Sequence, residues 1–119
     1  MKENIIKSKS FAFALRIIKM YCYLKDEKKE YVLSKQLLRS GTAVGALIRE
    51  AEQAESNLDF IHKLSIALKE ANETDYWIDI LFQSNFIDEK SYKSVKKDII
   101  ELLKLLVSII KSSKLKTQK

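Results

Sequence analysis

Polar and aromatic side chains that could bind a ligand are concentrated in two segments of the chain, 36–50 and 70–77. They are Gln36, Arg39, Glu50, Glu70, Glu73, Tyr76 and Trp77. An arginine can hold a phosphate or carboxylate with paired N–H donors, and aromatic rings can stack on a flat ligand. A second interpretation stays open, in which the arginine and the glutamates form solvated or interhelical ion pairs and the two rings fill gaps at an interface.

The chain contains no set of residues typical of an enzyme. His62 is the only histidine. Asp59 precedes it by three residues, but a di-iron helical bundle requires two Glu-x-x-His pairs and two further carboxylates. A glycine-rich phosphate loop, a Cys/His cluster and a nucleophile with a histidine base are also missing from the sequence. We therefore predict no catalytic residue, metal, cofactor or small-molecule substrate, and a surface or interhelical position for His62.

Length and composition favour one helical domain spanning residues 1–119. The chain is 46% hydrophobic and 32% charged, with no proline and two glycines, and its apolar residues recur at helical spacing, which indicates an all-α class. The first ten residues lack the apolar core of a secretory signal, so the expected location is cytoplasmic. Cys22, the single cysteine, lies in an apolar helical run, and we expect a buried, unreactive thiol.

Helical periodicity predicts four helices joined by short connections. The first runs from about Ser8 to Lys25, the second from Leu33 or Ser34 to near Glu55, the third begins at Ser56, and the fourth follows a break at residues 84–87 with Asp88 as its cap. Ser56 followed by Asp59 resembles a capping box. Because short connections favour antiparallel neighbours, the predicted fold is an antiparallel up-down-up-down four-helix bundle.

Apolar stripes indicate which side of each helix faces the core. The stripes are Phe11, Leu15, Ile18 and Cys22, with Ala14, Ile17 and Tyr21 beside them, on the first helix; Leu33, Leu37, Gly41, Val44, Ile48 and Ala51 on the second; and Phe60, Leu64, Ala67, Leu68, Ala71, Ile78 and Leu81 on the third. Gly41 and Gly45 lie at mid-helix, where glycine costs about 1 kcal/mol relative to alanine. We expect close packing of a neighbouring helix against them.

The fourth helix is apolar around most of its circumference. Within residues 99–110 the polar residues are Glu101, Lys104 and Ser108, which share one narrow stripe. A helix of a monomeric bundle needs about three apolar positions in seven. We therefore expect another subunit to cover the surplus, with the oligomer interface at Ile100, Leu103 and Val107, although a helix enclosed within its own bundle stays an alternative. The apolar run is too short to span a membrane, and its polar stripe is too thin for a helix lying on one.

The formal net charge of +6 comes from the two ends of the chain. Residues 1–10 carry three lysines and one glutamate, and residues 111–119 carry four lysines and no acid, whereas residues 11–110 hold 15 basic and 15 acidic residues. The basic C-terminal tail consists of Lys111, Lys114, Lys116 and Lys119. Such a tail either keeps the chain soluble or binds phosphate.

Motifs on the second and third helices resemble those of a known family. They are Ser34-Lys-Gln-Leu-Leu-Arg-Ser-Gly-Thr-Ala-Val-Gly45, Ile48-Arg-Glu-Ala51, Phe60-Ile-His-Lys-Leu-Ser-Ile-Ala-Leu-Lys-Glu70 and Glu73-Thr-Asp-Tyr-Trp77. The chain is similar to the four-helix-bundle family of bacterial proteins encoded within intervening sequences of large-subunit ribosomal RNA genes. The residues that match the family's recurring positions are Gln36, Arg39, Glu50, Phe60 and Glu73. Leu47 and Ala51 stand where the family commonly has asparagine and glycine.

The resemblance implies a protomer that assembles into a homopentameric ring. It also implies an association with RNA, because of where the family is encoded and because the family is similar to the accessory proteins of diversity-generating retroelements. The resulting hypothesis is a non-enzymatic, homo-oligomeric helical scaffold whose polar patch or basic tails bind RNA or a nucleoprotein partner. The alternative is a protein-interaction module without affinity for nucleic acid.

Overall fold

The computed structural model describes residues 2–118, which form four α-helices. The helices are α1 (Lys2–Asp26), α2 (Leu33–Ala51), α3 (Asn57–Gln83) and α4 (Glu89–Gln118). Each helix contacts the next one along the chain, and α1 also contacts α4, so that the four helices surround one core in a body of 51 × 21 × 19 Å. The predicted all-α class with four helices is confirmed.

Polar contacts join α1 to α4 along much of their length. Lys2 Nζ donates to Ser108 Oγ at 2.5 Å, Lys9 Nζ lies 3.1 Å from Glu101 Oε1, and Arg16 pairs with Asp98 and donates to Ser94. The residue numbers on α4 therefore fall as those on α1 rise. Because the first turns of α1 are held in this way, the helix begins at Lys2 and not at Ser8 as the sequence predicted.

The side of α1 that faces the core differs from the predicted one. The buried residues are Ile6, Ser10, Phe13, Ile17 and Leu24, whereas the exposed fractions of Phe11, Leu15 and Ile18 are 51%, 49% and 42%. Cys22 is also exposed, so the expectation of a buried thiol is wrong. The physical reason lies on α2, where a Cβ added at Gly41 would come within 2.9 Å of Ile17 Cγ1 and Cγ2. Placing Ile17 over this glycine turns Phe11, Leu15 and Ile18 outward.

The predicted stripes of α2 and α3 do face the core. The buried members are Leu37, Gly41, Val44, Ile48 and Ala51 on α2 and Leu64, Ala67, Ala71, Ile78 and Leu81 on α3. Gly45 faces α1 as expected, since a Cβ there would lie 3.4 Å from the carbonyl oxygen of Ser10. The second helix ends at Ala51 and not near Glu55, because the next three N–H groups bond to carbonyls only three residues back.

The starts of α3 and α4 are capped as the sequence predicted. Ser56 Oγ accepts a hydrogen bond from the N–H of Asp59 at 3.0 Å, and Asp88 Oδ1 accepts one from the N–H of Ser91 at 2.8 Å. Each cap satisfies a backbone donor that the first turn of the helix leaves unpaired.

The start of α2 is capped by the Glu30 side chain, which no capping pattern in the sequence predicts. The Glu30 carboxylate accepts hydrogen bonds from the N–H groups of Val32, Leu33 and Ser34, at 3.2, 3.0 and 2.6 Å. Burial by itself raises the pKa of Glu30, but the hydrogen bonds from these N–H groups and from the Ser34 hydroxyl lower the pKa below its ordinary value. The carboxylate is therefore stabilised in its charged form at the positive end of the helix.

The fourth helix has one buried side and a second apolar surface that its own chain leaves partly open. Ile99, Leu102, Leu106 and Ile109 are buried, Ile100 and Leu103 are half-buried, and Val107 is 52% exposed. The segment expected as a tail continues this helix, with Lys111, Lys114 and Lys116 exposed, and Asn57 Nδ2 donates to the Ser113 carbonyl at 2.8 Å. Lys119 lies outside the described residues.

Candidate functional site

Arg39 of α2 is held by two carboxylates of α3. Its Nη1 donates to Glu70 Oε1 and Oε2 at 3.2 and 3.1 Å, and its Nη2 donates to Glu73 Oε1 at 2.6 Å. Between the two helices, the buried hydroxyl groups of Thr74 and Ser40 lie 2.9 Å apart. This interior contact fixes the register in which the arginine meets the two glutamates.

The protonation states of this cluster are stabilised by the same contacts. The hydrogen bonds with Glu73 and then Glu70 hold the pKa of Arg39 above its ordinary value. The hydrogen bonds from Arg39 and then from Trp77 lower the pKa of Glu73. These contacts therefore stabilise the charged forms of Arg39 and Glu73.

Tyr76 and Trp77 stand beside the arginine and its carboxylates. Trp77 Nε1 donates to Glu73 Oε1 at 3.2 Å, so the half-buried indole belongs to the same network. The Tyr76 ring meets the Trp77 ring edge to face, with centroids 5.1 Å apart and an angle of 66° between the planes. Tyr76 is 57% exposed and offers the accessible aromatic surface of the cluster.

Two of the residues predicted for this patch have different surroundings. Gln36 is exposed and lies one turn before Arg39 on α2. Glu50 follows Arg39 by eleven residues, about 16 Å along the helix axis, and its Oε1 lies 3.5 Å from Lys63 Nζ. The structure therefore brings together Arg39, Glu73, Tyr76 and Trp77, with Glu70 as a further member, and leaves Glu50 in a separate ion pair.

The geometry of the cluster favours the ion-pair interpretation of Arg39. A guanidinium group that donates to two carboxylates can bind a phosphate only by giving up those contacts, and the phosphate would approach two negative charges. The exposed Tyr76 ring beside net negative charge suits a contact with a protein surface better than one with a polyanion.

A second surface was missed because its residues were assigned to the core. Phe11, Leu15, Ile18 and Cys22 form one exposed stripe along α1, which we call the α1 face. A groove of about 340 Å³ runs beside this stripe between α1 and α2, and its lining includes the small residues Thr42, Gly45 and Ala46. The 4–3–4 spacing of the stripe indicates a packed helix seam, but it does not show whether the contact lies inside or outside the bundle.

Neither a metal-binding group of side chains nor a membrane-spanning helix is found in the part of the chain that the structure describes. Among residues 2–118, no three His, Cys, Asp or Glu side chains are grouped so that they could hold a metal ion, and His62 is exposed. Of the helices described, none combines the length and the apolar character that crossing a bilayer requires.

Comparison with known proteins identifies a family and a closely similar solved structure. The family model described as "23S rRNA-intervening sequence protein" matches residues 2–108. A crystal structure of a protein of unknown function from the S23 ribosomal protein family of Bacteroides thetaiotaomicron superposes with a TM-score of 0.92. That protein is 57% identical in sequence, and the match covers 93% of this chain and 99% of the other. None of the curated proteins matches the chain.

Proposed function

The chain belongs to the 23S rRNA-intervening sequence protein family, and on that basis we propose that it is a non-enzymatic helical scaffold that assembles with copies of itself and binds RNA. The observation that carries the proposal is the α1 face, an apolar stripe on the outside of the protomer. The RNA component is supported by the family's description, by the ribosomal family of the similar structure and by the net charge of +6.

The α1 face has the features of a surface that another helix covers. Phe11, Leu15 and Ile18 are each about half exposed, and covering such side chains gains roughly 1 kcal/mol for each one. Their spacing matches the seam of packed helices, and the groove beside them leaves room for side chains from a neighbouring helix. We propose a second copy of the chain as the occupant, because an apolar stripe of this length on a small protomer suits a permanent contact.

The α1 face suits self-assembly better than the interface predicted on α4. Val107 is exposed there, but Leu103 packs against the core, and Lys104 and Lys111 flank Val107 by three and four residues. Among the described residues neither lysine has a carboxylate within 4.0 Å, so an interface at Val107 would desolvate two unpaired cations. An interface at Ile100, Leu103 and Val107 stays an alternative that the same experiment tests.

The proposed protomer is an antiparallel up-down-up-down bundle, and the proposed assembly is a ring of five. The falling residue numbers on α4 opposite the rising numbers on α1 support the antiparallel arrangement. The subunit number follows from the resemblance to the family and not from the surface of the protomer.

Native mass spectrometry of the protein, isolated without nuclease, tests the assembly and reveals bound RNA in the same spectrum. We expect a pentamer for the natural sequence and single subunits for Leu15→Glu, because the new carboxylate would be buried at the α1 face. Leu58→Glu is the matched control, since Leu58 is 67% exposed on α3, and this variant should stay assembled. A folded single-subunit species of the natural sequence at micromolar concentration would contradict the proposal.

The Arg39 cluster favours a second candidate function, a protein-interaction module without nucleic-acid affinity. Its accessible tyrosine and its excess of carboxylates suit a protein partner. This candidate predicts that labelled RNA is not shifted even at low salt, and that a defined protein partner is captured by the natural sequence but not by Tyr76→Ala after nuclease treatment.

A further inference from the structure

The outward side of α4 carries a regular row of lysines. The row, which we call the lysine stripe, consists of Lys93, Lys97, Lys104, Lys111 and Lys114, all exposed. With Ile100 and Val107 between them, these residues follow one another at alternating spacings of four and three, so they all lie on one side of the helix. At about 100° per residue it lies opposite the buried Leu102, Leu106 and Ile109. From Lys93 to Lys114 it extends about 32 Å along the helix axis.

The acidic residues next to the lysine stripe are already paired, two of them with cations of α1 and one with the first lysine of the stripe. Glu101 pairs with Lys9 of α1 at 3.1 Å, and Asp98 pairs with Arg16 of α1. Glu89 pairs with Lys93 at the first turn of α4, at 3.4 Å. Within the described part of the chain, Lys97, Lys104, Lys111 and Lys114 have no carboxylate within 4.0 Å. The central and C-terminal lysines of the stripe therefore present unneutralised positive charge.

The stripe also borders a surface depression. A groove of about 650 Å³ follows its N-terminal half and is lined by Lys93, Lys96, Lys97 and Lys104 together with Ile100 and Glu101. Lys96 Nζ lies 2.6 Å from Asp75 Oδ1 and 3.0 Å from Asp79 Oδ1, both on α3. These two ion pairs hold the Lys96 side chain in place on the side of the groove nearest α3. The outer lysines are free to contact a ligand that lies along α4.

From this arrangement we infer that the outward side of α4 binds the phosphate backbone of a nucleic acid. A row of like charges repeated over about 32 Å fits a polymer with evenly spaced negative charge. A membrane fits less well, because the apolar side of α4 is buried in the core and only Ile100 and Val107 interrupt the lysines. This inference rests on the proposed RNA-binding function and names the surface and the chemical group that would carry it.

The test compares two triple variants that lose the same charge. Lys97→Gln, Lys104→Gln and Lys111→Gln together remove three lysines of the stripe. The control combines Lys19→Gln, Lys35→Gln and Lys69→Gln, which remove three exposed lysines, one from each of the other helices. Binding of a fluorescent 20-nucleotide oligouridylate and of a 20-base-pair RNA duplex is measured between 0.05 and 1 M salt. A DNA duplex of the same length, run alongside, identifies which nucleic acid supplies the phosphates.

We expect the stripe variant to bind RNA on the order of a hundredfold more weakly at 0.1 M salt. The slope of log affinity against log salt should become shallower by about 2 to 3, because each phosphate contact contributes about 0.7 to 0.9 to the slope. The control variant should keep most of both the affinity and the slope, since its lysines lie on different sides of the bundle. Unchanged thermal unfolding and subunit number in both variants would show that folding and assembly are intact.

Three results would overturn the inference in distinguishable ways. If the natural sequence binds RNA and the two variants lose affinity equally, the lysine stripe is not the binding surface, and the proposed RNA-binding function survives without it. If the natural sequence binds none of the nucleic acids at 0.05 M salt, the lysine-stripe inference and the proposed RNA-binding function both fail. Binding to phosphatidylserine vesicles without binding to RNA would likewise replace the nucleic acid with a lipid surface.

Discussion

At the scale of single residues, the two glycines of α2 provide a matched pair of substitutions. Gly41→Ala places a methyl group 2.9 Å from two carbons of the fully buried Ile17. The gain of about 1 kcal/mol in helix propensity is then outweighed by overpacking, and we expect a net loss of about 1 to 2 kcal/mol in the free energy of unfolding. Urea denaturation followed by circular dichroism measures it.

Gly45→Ala serves as the control for this prediction. The nearest atoms to an added Cβ are the carbonyl oxygen and Oγ of Ser10, at 3.4 and 3.5 Å, which is ordinary contact. The alanine should therefore be neutral or stabilise the helix by up to about 1 kcal/mol. Equal stability of the two variants would contradict the close approach of α1 at Gly41.

Glu30 gives a pH-dependent prediction at the same scale. Its pKa is lowered in the folded protein by the N–H groups at the start of α2. The stabilisation is therefore present above the unfolded pKa of about 4.3 and is lost as the pH falls through the lower folded pKa. We expect Glu30→Ala to cost about 1 kcal/mol at pH 7, and the difference from the natural sequence to shrink below about pH 4.

Thermal unfolding at several pH values measures this effect, with Glu27→Ala as the control. Glu27 is an exposed carboxylate of the same connection and does not cap α2. If Glu30→Ala lowers the free energy of unfolding by the same amount from pH 7 down to pH 3, the charge of Glu30 does not contribute to stability.

Local signals made some residue contacts predictable and others not. Ser56 and Asp88 could be identified because a cap and the helix it starts are adjacent in sequence. Glu30 acts from three residues before the start of α2, outside the usual capping pattern, so it was not identified. Arg39 and its glutamates were singled out from the sequence, but their pairing depends on the register of two helices, which is a tertiary property.

At the scale of helices, the two apolar sides of α1 can be told apart by how concentration affects stability. Phe13→Ala removes a ring that is 2% exposed, and we expect a loss of about 3 to 5 kcal/mol at every protein concentration. Phe11→Ala removes a ring that is 51% exposed in the protomer. Its effect should grow under conditions where the natural sequence is assembled and fall, where it is dissociated, to the small loss from contacts that the ring makes within its own protomer.

Denaturation at several protein concentrations distinguishes the two effects. A large, concentration-independent loss for Phe11→Ala would mean that this ring packs inside its own bundle, which would restore the arrangement first predicted from the sequence.

The rotation of α1 is one feature of the fold that the sequence could not determine. Phe11, Leu15 and Ile18 form as regular a stripe as Phe13 and Ile17, so periodicity alone does not select between them. The selection depends on Gly41, which admits Ile17 at close range. The core-facing stripes of α2 and α3 were predictable because polar residues occupy the opposite sides of these helices. On α4, the scarcity of polar residues within 99–110 showed in the same way that this helix has more apolar surface than one core requires.

At the scale of the whole molecule, the thiol of Cys22 reports on assembly. It is exposed in the protomer and lies on the α1 face. If copies meet at that face, a thiol reagent should react slowly with the assembled natural sequence and at least tenfold faster with Leu15→Glu. The rate for the natural sequence should also rise on dilution, because dissociation uncovers the sulfur. Equal rates in both proteins at all concentrations would place the contact between copies elsewhere.

The separation of the lysine stripe on α4 from the α1 face affects how strongly the molecule could hold a long polyanion. Because the two surfaces lie on different helices, an assembly in which the α1 face meets a surface other than α4 would leave every stripe open to solvent. A strand released by one stripe then stays near the next, and this avidity can exceed the affinity of one site by several orders of magnitude. A protomer whose own affinity is too low to retain RNA would bind it tightly once assembled. The number of copies joined would then itself regulate RNA binding.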